Sequence, residues 1–177
     1  MTDINEIKER FHQLHSDYNK QVKQIRDNTK AQAQSIIKDV FADFFVKQPK
    51  VYGIGWTQYT PYWSDGEECK FSVNDIKLFL SEDSYNDDDY QEGDQDLHRD
   101  RAFYAGRNGD QDEVDEIDAK IASFGGDEVY NAAVLDFANI VSVLRSIRKE
   151  HMEMLYGDHV SVLYTAEGVT VAEYDHE

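Results

Sequence analysis

Apolar side chains recur at helical spacing from the start of the chain: Ile4, Ile7, Phe11, Leu14, Tyr18, Val22, Ile25, Thr29, Ala33, Ile36, Val40 and Phe44. Their mean spacing of about 3.64 residues fits a straight amphipathic helix better than the 3.5 of a left-handed coiled coil. Asp3 is placed to cap the first turn with Glu6 three residues on, and Pro49 excludes Gln48 from the helical region, so the pattern predicts helix over 3–46. As one piece that helix would be about 66 Å long at ~1.5 Å per residue. Its weak part is Asn28 to Ser35, where the row holds only Thr29 and Ala33. Two arrangements stay open: two helices packed on a sheet, or a single arm that self-associates or pairs with another protein through Phe11, Leu14, Tyr18, Val22 and Ile25.

The period then switches to two. In Val51 to Leu80, Tyr52, Ile54 and Trp56 share one side of a strand. Ser64-Asp65-Gly66-Glu67 supplies a turn, and Cys69, Phe71 and Val73 alternate with Lys70, Ser72 and Asn74. Pro61 cannot donate a ladder hydrogen bond, which makes Thr60 to Glu68 a broad hairpin end. Ile76 to Leu80 extends the second strand or forms a third. Gly53 and Gly55 sit within strand with no helix opening after them, which points to close backbone packing rather than a phosphate loop. A second hairpin follows near the C-terminus: Val160, Val162 and Tyr164, a turn at Ala166-Glu167-Gly168, then Val169, Val171 and Glu173. Neither hairpin is stable alone, so the two are expected to join edge to edge in an antiparallel sheet of about four strands.

Between the hairpins lie two helical patterns. Val114, Ile117, Ile121 and Phe124 carry a short helix over 111–124, ended by Gly125-Gly126. Tyr130, Ala133, Val134, Phe137, Ile140, Val141, Leu144, Ile147 and Leu155 carry a stronger one over 128–156, with Asp127 at its start and Gly157 past its end. The whole is an α+β chain: an N-terminal helical region over 1–48, then an α+β domain over 49–177 in which the 128–156 helix covers the sheet. Trp56, Phe71, Phe137 and Leu144 are its expected core, with the single Cys69 a small hydrophobe on the inner hairpin face.

Charge changes this picture in one place. The chain carries 18 Lys and Arg against 36 Asp and Glu, a formal net of −18, and the stretch Glu82 to Asp118 holds fifteen acids against Arg99, Arg101 and Arg107. That acidic insertion, 81–118, therefore accounts for −12 of the −18. Ser81 to Asp96 has almost no aliphatic content and is expected to be a mobile loop. So acidic a chain lacks the basic footprint that direct contact with nucleic acid or an anionic membrane requires. A charged partner would be basic. No apolar run approaches a membrane span and the first residues lack signal-peptide character, so a cytoplasmic protein is expected.

Candidate chemistry is thin. An EF-hand register starting at Asp88 puts Tyr90 at the third position and Arg99 at the twelfth, and one starting at Asn108 puts Glu113 where glycine is needed and Ala119 at the twelfth. Neither holds calcium. His12, His15, His98, His151, His159 and His176 show no ligand-type spacing. His98-Arg99-Asp100 matches three letters of a kinase catalytic loop without the glycine-rich loop or lysine strand that loop works with. No enzyme, metal or cofactor is implied.

One motif carries a resemblance. Trp56-Thr57-Gln58-Tyr59-Thr60-Pro61-Tyr62-Trp63-Ser64-Asp65-Gly66, with Cys69 and Phe71-Ser72-Val73 after it, resembles a hairpin signature of small tailed-bacteriophage proteins. It departs from that signature at Trp63-Ser64, where Phe-Asn is expected. The family brings no activity with it, so no catalytic residue follows. What the resemblance implies is a phage product in a host bacterial cytoplasm.

Two functions are compatible with these features. The first is an acidic interaction factor that binds and modulates or inhibits a basic host protein, nucleic-acid-binding or defensive, as a DNA mimic. Its contacts would be Asp87, Asp88, Asp89, Asp112, Glu113, Asp115 and Glu116, with Trp56, Tyr59, Tyr62 and Trp63 as aromatic anchors. The second is a structural or assembly protein that oligomerises through its N-terminal helix, its acids serving solubility.

Overall fold

A computed structural model describes residues 3–63, 66, 68–86, 93–106 and 110–175. The chain divides into two compact units, Met1–Ile37 and Lys38–Glu177. Helix α1 spans Ile4–Lys47 without interruption. Asp3 caps it, its carboxylate accepting the Asn5 N–H at 3.0 Å. The stretch from Asn28 to Ser35 stays helical because Lys30, Ala31, Gln32, Ala33 and Gln34 are all strong helix formers; lacking large apolar side chains removes packing, not propensity. The last turns belong to the second unit, where Phe41, Phe44 and Phe45 are buried. Ile36, expected on the inner row, is 63% exposed, so the buried face at this end is turned one residue on.

The second unit is α+β, as the patterning predicts. Its sheet holds β1 (Gly53–Tyr59), β2 (Ser72–Val73), β3 (Lys77–Phe79), β4 (Val160–Thr165) and β5 (Gly168–Glu173), all antiparallel. The order is β2-β1-β4-β5, with β3 also paired to β1. β1 and β4 run together from Gly53↔Thr165 to Gln58↔Val160, which joins the two hairpins in one sheet. On its other side β1 meets β3 at Gly55↔Lys77 and β2 at Gln58↔Val73, and the Asn74 N–H donates to Thr57 O. Asp75 and Ile76 thus oppose Trp56 alone. This bulge divides the returning strand in two.

The return strand is shorter than its alternation suggests. It begins at Ser72, leaving Cys69 and Phe71 half-buried outside the ladder instead of on an inner face. Pro61 has no N–H to give, and the Thr60 N–H donates to Asp158 Oδ1 at 2.7 Å, so pairing stops at Tyr59↔Ser72. The glycines of β1 are spacing residues. A Cβ on Gly53 would stand 2.8 Å from Leu163 Cδ1, and one on Gly55 would stand 3.1 Å from Phe79 Cε2.

Among the described residues five helices complete the unit: α2 (Glu82–Asn86), α3 (Leu97–Gly106), α4 (Gln111–Phe124), α5 (Asp127–Ser146) and α6 (Lys149–Tyr156). The single helix expected over 128–156 is two. Ile147 and Arg148 take extended backbone, ψ 131° and 145°, with no glycine or proline at 146–149 to signal it. The break turns α6 onto the sheet. Trp56 meets the Tyr156 ring edge-on at 5.4 Å, and Phe41 of α1 stacks on Tyr164 at 3.8 Å. Gln58, fully buried, accepts the Trp56 indole N–H and donates to the carbonyls of Met152 and Gly157, so its amide is satisfied inside the core. Phe137 and Leu144 on α5 are buried as expected.

Candidate functional site

The strongest candidate is the outer face of α4. Val114, Ile117, Ile121 and Phe124 are buried at 3-4-3 spacing, which fixes the rotation of the helix and leaves Asp112, Glu113, Asp115 and Glu116 exposed. Residues three and four apart on a helix surface have Cβ atoms about 5–6 Å from each other, so these acids form one compact array. Asp112 and Glu113 lie in the first turn, where they also complement the helix dipole. The C-terminal end of α4 is held by backbone hydrogen bonds. There the Gly125 and Gly126 N–H groups return to the carbonyls of Ala122 and Ile121, with φ of 135° and 87° that favour glycine.

Side-chain pairing sorts the acids further. Asp118 takes both the Nε and Nη2 donors of Arg101 on α3, and that hydrogen bonding holds its carboxyl below the usual range. Gln111 Nε2 donates to Asp115 at 2.6 Å. Asp112, Glu113 and Glu116 form no ion pair with the described residues.

Behind α4 stands a residue that sequence reasoning placed in a mobile loop. Asp94 is 2% exposed. Its Oδ2 accepts the Leu80 N–H at 2.7 Å, its Oδ1 pairs with Lys120 of α4, and its own N–H donates to Leu78 O. Gln95 Oε1 accepts the Leu78 N–H at 3.0 Å. Residues 93–95 therefore finish the edge of β3 that no described strand pairs, and hold α4 through Lys120. The Tyr130 hydroxyl closes the arrangement, donating to Asp94 O and accepting from Leu97 N; burial pushes this phenol up to about 12. Within an acidic run nothing marks Asp94 out. The usable signal is Gly93, whose φ of +69° favours glycine and where an added Cβ would stand 2.9 Å from Lys77 Cβ.

The remaining sites are distributed. Asp87, Asp88 and Asp89 lie outside the described residues. Trp56 is 4% exposed and hydrogen-bonded to Gln58, so it is a core residue and cannot anchor a partner. At the open end of β1, Tyr59 is half-buried against Tyr174, Tyr62 stacks on His159 at 4.7 Å, and Trp63 is 76% exposed. Asp158 supports this end from beneath. Burial would raise its pKa, but hydrogen bonds from the Thr60 and His159 N–H groups and the nearby imidazole outweigh burial and leave it lowered. In the first unit, Phe11, Leu14, Tyr18 and Ile25 are 63–68% exposed and Val22 is half-buried.

Among the described residues no cluster of three or more His, Cys, Asp or Glu is placed to hold a metal, and no helix is long and apolar enough to cross a membrane. A groove of about 660 Å³ along α5 is lined by Val134, Phe137, Val141 and Arg145 among others, with no histidine or cysteine in its wall. No protein-family model, curated protein or solved structure matches the chain.

Proposed function

We propose that the protein is an acidic interaction factor, phage-encoded as the hairpin resemblance implies, that binds a basic protein of the host cytoplasm and occupies its nucleic-acid groove with carboxylates in place of phosphates. The observation that carries this reading is the α4 face: Asp112, Glu113, Asp115 and Glu116 exposed at helical spacing on a helix whose underside is buried. A mobile acidic chain would lose conformational entropy on binding; a packed helix presents its charges already ordered. Tyr62 and Trp63, exposed at the open end of β1, are aromatics available as anchors for a partner. The test is capture from bacterial lysate with the parent and with a variant carrying Asp112→Asn, Glu113→Gln, Asp115→Asn and Glu116→Gln. The parent retains a basic protein that polynucleotide displaces, and the variant, with an unchanged circular dichroism spectrum, does not. Retention of the same protein by both would refute the reading.

A second reading, an assembly protein that oligomerises through α1, is favoured by a separate observation. Seven large apolar side chains of α1 in its first unit (Ile4, Ile7, Phe11, Leu14, Tyr18, Ile25 and Ile36) are exposed. A helix surrounded by water does not hold so continuous an apolar row without a partner.

A further inference from the structure

The average spacing of the α1 row conceals a stricter pattern. From Ile4 to Tyr18 the steps are 3, 4, 3 and 4, and Ile25 falls one further heptad on. That places Ile4, Phe11, Tyr18 and Ile25 at one core position of a heptad, and Ile7, Leu14, Gln21 and Asn28 at the other. All eight lie within the first unit and within α1. A 3.5-residue repeat is the signature of a left-handed two-stranded coil.

We propose that residues 4–28 of two copies of this chain pair in parallel and in register as such a coil. The proposal rests on the assembly reading and specifies its partner and geometry. The area is adequate: at their fractional exposures of 40–68%, the six apolar core side chains offer on the order of 700 Å² per copy, close to the roughly 800 Å² per partner of a standard stable interface. The polar core positions select the orientation. In a parallel coil Gln21 meets the second copy's Gln21 and Asn28 its Asn28, amide to amide, while each apolar residue meets its apolar counterpart. An antiparallel pair would set Gln21 against Ile4 or Phe11 of the other copy and leave the amide without a partner. Matched polar residues in a coil seam fix register at some cost in stability.

The experiment uses the full chain with Cys69→Ser as background. Light scattering at high micromolar concentration is expected to give twice the chain mass of 20.5 kDa, and Leu14→Glu to return it to the monomer. Gln21→Cys, which brings like positions face to face only in a parallel coil, is expected to form a covalent dimer under mild oxidation. A monomeric parent overturns both the coil and the assembly reading. A dimer that Leu14→Glu dissociates but Gln21→Cys fails to cross-link overturns the parallel coil and leaves the assembly reading standing. A dimer indifferent to Leu14→Glu places the interface elsewhere and overturns the coil.

Discussion

Replacing Asp94 separates two parts of the work this carboxylate does. Asp94→Ala removes the acceptor of the Leu80 N–H, a bond of 2.7 Å at a site only 2% exposed. A buried donor left without an acceptor costs about 1–3 kcal/mol. The same change deprives Lys120 of its partner, but the lysine side chain is 38% exposed and returns to water, so that loss adds about 1 kcal/mol or less. The sum is a destabilisation of about 1–4 kcal/mol. Asp94→Asn keeps an acceptor oxygen for Leu80 and loses only the charge, so it should cost about 1 kcal/mol. Urea unfolding followed by circular dichroism measures both, with the slope expected to stay fixed. Amide exchange at Leu80 gives a local check, fast in the alanine variant and near parental in the asparagine variant. Alanine and asparagine variants of equal stability would refute the assignment of the larger share to the hydrogen bond. An alanine variant within about 0.5 kcal/mol of the parent would refute the structural role altogether.

Two further outcomes follow from the core. Phe137→Ala should lower stability by about 3–5 kcal/mol through lost burial and a residual cavity, read as a lower urea midpoint; an unchanged midpoint would mean this face of α5 is not core. Burial raises the phenols of Tyr130, Tyr156 and Tyr164, Tyr130 to about 12, so their contribution is complete below the ordinary phenol pKa of about 10 and is lost as pH climbs toward and beyond the raised values. Thermal unfolding scans from neutral pH upward should hold steady and then fall above about pH 10, less steeply in Tyr156→Phe; a midpoint flat to pH 12 would contradict it.

Much of the fold is legible from periodicity alone. The second hairpin, the 111–124 helix with its glycine stop, and the joining of the two hairpins all follow from local pattern and from the instability of an isolated hairpin. What escapes is decided by distant contacts. Cys69 and Phe71 alternate as strand residues should, yet Asp158, far along the chain, takes the Thr60 N–H and ends the ladder first. The division of α5 from α6 has no breaker residue, because its cause is the fit of Met152 and Tyr156 against the sheet. Trp56 was legible as core from its alternation with Tyr52 and Ile54, but the aromatic motif also offered it as a surface anchor beside Tyr62 and Trp63, and its packing on Tyr156 and Tyr164 removes that second role. The acids of α4 were legible as an array because the apolar positions between them fix the rotation of the helix. Asp94 was not, since a buried carboxylate and a solvated one are the same letter.

In the proposed function the α4 carboxylates, rather than the total charge, bind the partner. The most direct measurement is the affinity of the captured basic partner for the parent and for the variant with amides at Asp112, Glu113, Asp115 and Glu116, between about 50 mM and about 300 mM salt, a range that brackets the physiological level. The parent should weaken steeply with salt, chiefly through its association rate, because exposed charges steer encounters and are screened beyond about 8 Å at physiological ionic strength. The variant, which keeps most of the −18 net charge, should bind weakly throughout with a shallower dependence. Equal affinities for parent and variant at both ends of the range would contradict the claim.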